Sequence, residues 1–232
     1  MNRFSSSVKI LLSFVLLIFF VMGCKLLHPG KSGNSNGVGT AGEPPSAASG
    51  DPRQNLRAAL TKLKTAFPYR LTETSSATYN NQTMQTTRVS EFEAADRIHS
   101  KITSGDRGGV EMVTIGDKTY TNLGGGWVEG ASKSAAEKQS MATKMEQLLA
   151  SSIKEVNSAG SETVSGTPCS IYTYRLNMDV SGKTYSGTGK AWVGTKDGLP
   201  HQTDGEFKTG TYGWTYHIVY EYGVNVKVTK PM

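Results

Sequence analysis

The chain has 232 residues, with 25 Lys or Arg against 19 Asp or Glu, and a formal net charge of +6. The positive charge is mild and is spread along the chain, whereas nucleic-acid binding usually needs a basic patch, so we exclude nucleic acid as a partner. A content of 37% apolar residues with 26 glycines excludes a collagen, a coiled coil or a polytopic membrane protein. Two cysteines are too few for a disulfide framework.

The first 23 residues are typical of a signal peptide. Arg3 and Lys9 provide positive charge, and residues 10–22 form an apolar run that only Ser13 interrupts. This run is too short to span a bilayer comfortably, but it fits the apolar region of a signal peptide. We therefore predict that residues 1–23 are removed.

The signal peptide ends on Val21-Met22-Gly23-Cys24, which resembles a bacterial lipobox except that Met22 is an unusual residue at its position. A small Gly23 gives the peptidase access to the bond, and the Cys24 thiol is the nucleophile that takes up diacylglycerol. We predict cleavage between Gly23 and Cys24, and a membrane anchor of acyl chains rather than a spanning helix. A plain anchor helix or an ordinary secretory signal remains the alternative.

Residues 24–50 are predicted to form a flexible tether. The stretch 28–50 contains six glycines and three prolines and has almost no apolar mass, so it cannot offset the entropy of ordering. Lys25 follows the predicted lipidated cysteine. In enterobacterial lipoproteins an Asp at that position favours retention in the inner membrane. By analogy, we expect an outer-membrane protein that faces the periplasm.

The folded domain is predicted to be residues 51–232 and to begin with an amphipathic helix. Asp51 is a good N-cap, and Pro52 is favoured at the first helical position. Apolar residues then recur at spacings of four, three and four, and the helix should end near Pro68. The residues of this apolar stripe are Leu56, Leu60, Leu63 and Phe67.

Extended segments follow, because the periodicity changes from helical to alternating. Four Thr- and Ser-rich strands are predicted over residues 69–79, 82–92, 95–102 and 110–115. A second helix is predicted over residues 132–153, with an apolar stripe at helical spacing. That stripe consists of Met141, Met145, Leu148 and Leu149.

The C-terminal third has the clearest strand pattern. Apolar residues alternate with polar ones from Tyr172 to Val180, and again from Tyr212 to Val228, where Gly223 could mark a turn. Alternation over this length indicates antiparallel strands with one buried and one wet face.

The predicted fold is therefore α+β, with a large, curved, mostly antiparallel sheet that forms an incomplete barrel. Two helices must bury their apolar stripes against the concave face, which leaves an apolar cavity beneath them. Ordinary core packing is the alternative role for both stripes, since Met and Leu at helical spacing are usually core residues. The candidate lining residues of the cavity are Leu56, Leu60, Leu63, Met141, Met145 and Leu148.

Residues 51–232 also resemble, in order and spacing, the half-barrel carrier superfamily that includes LolA, LolB, LppX and LprG. The resemblance rests on an early helix, a middle helix and four stretches of sequence. Those stretches are 113–120 with Gly126-Trp127, 166–174, 191–193 and 197–200. The resemblance implies binding of a lipid, or of the acyl chains of a lipidated protein, without catalysis. A sensor or protein-interaction module of the same fold is the alternative.

The chain offers little for catalysis or for binding a cofactor. Its four histidines form no zinc-protease motif, so no metal site is predicted. Glu91 and Glu93 share one face of a strand, where a solvated face is the simplest interpretation. Cys169 has no partner once Cys24 is acylated, and we expect it to be a small buried residue. We predict a protein that is not an enzyme and needs no cofactor.

Overall fold

The structure is a computed structural model, and it describes residues 50–80, 82–105, 108–130, 152–180 and 183–232. One α-helix, α1 (Pro52–Leu63), precedes eleven strands in the described part of the chain. The strands are β1 (Tyr69–Tyr79), β2 (Gln82–Ala94), β3 (Arg97–Gly105), β4 (Glu111–Ile115), β5 (Lys118–Asn122), β6 (Trp127–Glu129), β7 (Ile153–Val164), β8 (Thr167–Val180), β9 (Lys183–Gly194), β10 (Pro200–Thr209) and β11 (Tyr212–Tyr222).

The N-terminal helix begins where the sequence predicts. The side chain of Asp51 accepts a hydrogen bond from the backbone N–H of Arg53 at 2.9 Å, which satisfies one of the free donors of the first turn. Leu56, Ala59 and Leu63 are buried on one face of the helix. The amphipathic helix is thus confirmed, but it ends at Leu63, so Phe67 lies beyond the apolar stripe that packs against the sheet.

All eleven strands form one antiparallel sheet, in the order β6-β5-β4-β3-β2-β1-β11-β10-β9-β8-β7. The first and last strands pair in the middle, from Tyr69 opposite Tyr222 to Tyr79 opposite Tyr212. The sheet is open, with β6 and β7 at its edges. The prediction of a large antiparallel sheet that does not close into a barrel is therefore confirmed.

The predicted second helix needs a correction at its end. Residues 132–151 lie outside the described residues, but Ile153, which we placed in that helix, begins β7. Ile153 pairs with Leu176 of β8, so the chain joins the sheet at this residue. Ser152 is still helical, so among the described residues the disagreement with the predicted helix is confined to Ile153.

The two faces of the sheet differ in chemistry. We call the face against which α1 packs the inner face, and the opposite one the outer face. Leu56 of the helix packs with Tyr174, Leu176 and Ala191, and neighbouring strands continue that face through directly opposed residues. Side chains that are opposed across antiparallel strands share a face, so the alternation in the sequence predicts inner and outer residues correctly.

The C-terminal tail, residues 224–232, leaves the sheet and packs on the outer face. We predicted alternation up to Val228, but β11 ends at Tyr222, and Gly223 adopts a φ of +68° that favours glycine. Val226 and Val228 then pack with apolar residues of β4 and β5. The alternating pattern continues there because the tail buries one side against the sheet without joining it.

The tail is fastened by a carboxylate of β2. Glu93 accepts hydrogen bonds from the backbone N–H of Val228 at 2.8 Å and from Nε of Arg97 at 2.9 Å, while Nη2 of Arg97 donates to the carbonyl of Val228. The hydrogen bond from Arg97, and then the one from Val228, lower the pKa of Glu93 below its usual value. The two hydrogen bonds that Glu93 accepts are therefore strongest while Glu93 is ionised.

We expect the tail to loosen in acid. Because the pKa of Glu93 is lowered in the folded state, its contribution is present at neutral pH and is lost as the pH falls below about 4. The hydrogen-exchange protection of the Val228 amide, corrected for its intrinsic rate, should fall over that range. Glu93→Gln should weaken the protection at neutral pH and abolish this pH dependence, whereas Glu206→Gln on β10 should leave both unchanged. Constant protection of Val228 down to about pH 2 would contradict the role of Glu93.

Candidate functional site

The inner face is a continuous apolar surface across the sheet. Its buried residues extend from β8 through the central pair β1 and β11 to β3, and they are largely aromatic. The buried apolar residues of this face are Tyr69, Leu71, Phe92, Ile98, Ile102, Tyr172, Tyr174, Leu176, Met178, Tyr185, Ala191, Tyr212, Trp214, Tyr216, Ile218 and Tyr220. Strand alternation places them all on one side, so a large apolar surface results from a local sequence pattern.

Aromatic rings contact one another along this face. Phe207 stacks on Trp214 with ring centroids 5.4 Å apart, and Trp214 lies 5.0 Å from Tyr216. Nearer β2, Tyr69 stacks on Phe92 at 4.4 Å. Such contacts add rigidity to an apolar surface beyond the burial of area alone.

Several phenol groups give the inner face a polar component. The hydroxyls of Tyr174 and Tyr216 lie 3.2 Å apart, and that of Tyr220 lies 3.5 Å from Thr203. Burial raises the pKa of Tyr220 to about 12, and it also raises the pKa values of Tyr174 and Tyr216. These phenols therefore stay neutral at physiological pH and can donate hydrogen bonds within an apolar setting.

One ion pair is buried in the same face. Arg88 of β2 donates from Nη2 to Oε2 of Glu73 on β1, and the side chains are only 8% and 7% exposed. One strand further along, the hydroxyls of Ser90 and Ser100 are buried 2.7 Å apart. Removing two charges from water is expensive, so the two partners depend on each other. The inner face is thus apolar with a short polar row over β1, β2 and β3.

The described helix lies over one half of this face. It contacts β7, β9 and β10, and it is fastened at both ends. Near its start, Nη2 of Arg53 donates to the carbonyl of Ile153 at 2.6 Å, and at its end Nζ of Lys62 donates to the carbonyl of Asp197. At the end of the helix, Leu63 belongs to the same apolar cluster as Tyr69 of β1 and Phe92 of β2.

The candidate lining residues divide into two groups. Leu56 and Leu63 are 1% and 2% exposed and belong to the clusters beneath the helix, while Leu60 is partly buried against the same cluster as Leu56. The structure therefore brings the three leucines to the inner face. The other three candidates, Met141, Met145 and Leu148, lie outside the described residues, as do Gly23 and Cys24.

A cavity that described residues line on their own lies on the opposite side. It is a groove of about 890 Å³ on the outer face, and most of its lining side chains are polar. A second cavity of about 310 Å³ lies near the turn between β10 and β11. Neither of these two is the apolar cavity beneath the helices that the sequence predicts.

Other residues singled out in the sequence have structural roles. Glu91 and Glu93 do share the outer face, where they pair with Arg70 at 2.7 Å and with Arg97 at 2.9 Å. Cys169 is a fully buried free thiol, as expected for a small core residue. Within the described ranges, no three His, Cys, Asp or Glu side chains are grouped so that they could hold a metal ion.

Sequence reasoning missed the ion pair and the outer groove. Glu73 and Arg88 both fall at positions of their strands that otherwise alternate as apolar, inner-face residues. A charged residue at such a position could have indicated a buried ion pair. The groove had no such signal, because it depends on the arrangement of seven strands.

No protein-family profile matches the chain, and no curated protein sequence matches it. Among solved structures, the lipoprotein LppX of Mycobacterium tuberculosis is similar with a TM-score of 0.49 and 13% identity, over 77% of this chain and 98% of that one. LprF of Mycobacterium bovis has a TM-score of 0.45 and 10% identity, over 78% and 96%.

A LolA superfamily protein of Nitrosomonas europaea is also similar, with a TM-score of 0.33 and 7% identity over 71% of this chain and 91% of that one.

Proposed function

We propose that the inner face binds the acyl chains of a lipid or of a lipidated peptide, and that the protein takes part in lipid or lipoprotein transport within the cell envelope. The observation that supports this is the extent of the apolar inner face. It extends over seven neighbouring strands, from β3 to β8, of an open sheet of eleven, and α1 packs on it through Leu56 and Leu63. In this proposal Leu56, Leu60 and Leu63 line the cavity, together with Met141, Met145 and Leu148.

Transfer of hydrocarbon from water supplies the binding free energy. Each buried methylene contributes about 0.8 kcal/mol, so a chain of about fifteen methylenes contributes about 12 kcal/mol before the cost of ordering is subtracted. The buried phenols and the Glu73–Arg88 pair favour an amphipathic ligand over a plain hydrocarbon, because each offers a polar group to a headgroup. None of these steps requires covalent chemistry, which agrees with a protein that is not an enzyme.

Lipid extraction tests this proposal. Protein lacking residues 1–50 retains the described helix and all eleven strands, and we expect lipid to co-purify with it and to appear by mass spectrometry of an organic extract. Leu60→Glu places a charge on the partly buried helix face and should reduce bound lipid several-fold. Thr61→Glu adds the same charge at the exposed neighbouring position and is the matched control.

Two results would oppose the lipid proposal. The first is protein without co-purified lipid that also fails to bind a fluorescent fatty acid. The second is equal lipid content in Leu60→Glu and Thr61→Glu. A stoichiometric protein partner on a lipid-free protein would instead favour the interaction module.

We also propose that Cys24 is lipidated after cleavage at Gly23, and that residues 24–50 tether the domain to the outer membrane on its periplasmic side. This rests on the sequence pattern of residues 1–24. In the described part of the chain, no helix has the length and apolarity needed to cross a bilayer.

Metabolic labelling tests the anchor. Cells that express the full chain should incorporate labelled palmitate into the protein, and Cys24→Ser should abolish the label because it removes the acceptor thiol. Cys169→Ser removes the other cysteine, which is buried in the domain, and should leave the labelling unchanged. Label that persists in Cys24→Ser would refute the anchor.

A further inference from the structure

The groove on the outer face, which we call the outer groove, is a feature that the inner-face proposal does not use. Its volume is about 890 Å³, and its lining residues come from β1, β2 and the five strands β7 to β11. Hydroxyl and amide side chains predominate in it. Six of them are Thr74, Gln85, Asn157, Thr173, Thr188 and Thr215. A groove of this size is in the range of small-molecule sites, and its lining is rich in hydrogen-bonding groups.

Charged side chains of both signs lie in the groove, and several of them are paired. Nδ1 of His217 lies 2.6 Å from Oδ1 of Asp204, and Nε of Arg175 lies 3.1 Å from Oε2 of Glu155. Nζ of Lys190 sits 4.2 Å above the ring of Trp192. Positive and negative groups thus alternate without a patch of either sign, and this arrangement favours a ligand without net charge.

The floor of the groove is closely packed from the inner side. Gly189 and Gly205 lie opposite each other on β9 and β10, and the rings of Tyr174 and Tyr216 press against them from the inner side. A Cβ atom built at Gly189 would lie 2.3 Å from the Tyr174 ring, and one at Gly205 would lie 2.5 Å from the Tyr216 ring. These aromatic contacts hold the floor in place, so the groups of the groove are organised before a ligand binds.

The backbone of the floor is not available to a ligand. Its strands, β8 to β11, are each paired on both sides, so their N–H and C=O groups are used in the ladders of the sheet. An extended peptide cannot add as a strand there. Recognition must therefore come from side-chain hydroxyl, amide and charged groups.

We propose that the outer groove binds a neutral, hydroxyl-rich ligand, namely an oligosaccharide. Sugar hydroxyls both donate and accept hydrogen bonds, and the threonine, glutamine and asparagine side chains of the groove do the same. The carboxylates of Glu155, Asp204 and Glu206 in the lining disfavour phosphorylated or acidic glycans. This site lies on the opposite face from the acyl-chain site and does not depend on it.

Calorimetry on the full chain in lipid nanodiscs tests the proposal. The probes are three neutral tetrasaccharides, namely cellotetraose, maltotetraose and chitotetraose, with tetragalacturonate as the acidic comparison. We expect at least one neutral probe to bind with a Kd of about 1 mM or tighter, and the acidic one to bind more weakly. Thr188→Val and Asn157→Leu should each weaken binding about tenfold, since each removes hydrogen bonds to the ligand.

Thr188 and Asn157 are exposed, so both variants should fold normally. Thr72→Val is the matched control, because Thr72 lies on the outer face of β1 but does not line the groove. Absence of heat with all three neutral probes would overturn the proposal. Tighter binding of tetragalacturonate, or equal weakening by Thr72→Val and Thr188→Val, would overturn it as well. None of these results bears on lipid extraction, so the two proposals fail independently.

Discussion

Gly187→Ala is expected to lower the free energy of unfolding by about 3 kcal/mol, although alanine usually strengthens a strand relative to glycine. A Cβ atom at Gly187 of β9 would lie 1.8 Å from the carbonyl oxygen of Glu206 and 3.1 Å from the Cα of Phe207. Both are backbone atoms of the paired strand β10, so they cannot move aside as a flexible side chain would. Urea unfolding followed by circular dichroism measures the change.

Gly213→Ala is the matched control. Gly213 lies in β11, and like Gly187 it does not have a positive φ, but a Cβ atom there would have no neighbour within 4 Å. Alanine should therefore stabilise the strand by about 0.5 kcal/mol. Equal effects of the two substitutions would contradict the close approach of β9 and β10 at Gly187.

Arg88→Met should cost about 3–5 kcal/mol, because it leaves the carboxylate of Glu73 buried without its cation. Methionine roughly fills the space of the arginine stem, so lost packing is a small part of this cost. Thermal or urea unfolding at neutral pH gives the value. The loss exceeds that expected for a surface ion pair, which is at most about 1 kcal/mol.

The double variant Glu73→Leu with Arg88→Met is the decisive comparison. Replacing a buried ion pair by apolar residues is often neutral or stabilising, so the double variant should regain most of what the single variant loses. The interaction free energy from the double-mutant cycle should then be several kcal/mol. Additive losses would mean that Glu73 and Arg88 do not depend on each other in the folded protein.

The two faces of the sheet separate two kinds of binding surface. The inner face has large apolar side chains and neutral phenols, whereas the outer groove has hydroxyls, amides and paired charges. Because successive residues of a strand point to opposite sides, one set of strands can provide both surfaces. Tyr174 and Tyr216 serve both, since their rings belong to the apolar face and also press against the floor of the groove.

Several elements could be predicted because their signals are local. Asp51 and the leucine spacing define α1, and the alternation from Tyr212 to Tyr222 defines β11 and its buried parity. The same reasoning placed Glu91 and Glu93 on one polar face. It was wrong at Ile153, where residues at the end of a helical pattern begin an edge strand instead. Periodicity alone does not say where a segment joins a sheet.

The sequence by itself determined the N-terminal pattern ending at Cys24, the helix, most strands and the parity of their side chains, because caps and periodicity act over a few residues. The tertiary structure alone decided that β1 pairs with β11, that the tail returns to the outer face, and that Glu73 meets Arg88. It also decided that the outer groove forms where seven strands meet. These features join residues far apart in the chain, and long-range pairing depends on how all strands bury apolar surface together rather than on a local pattern.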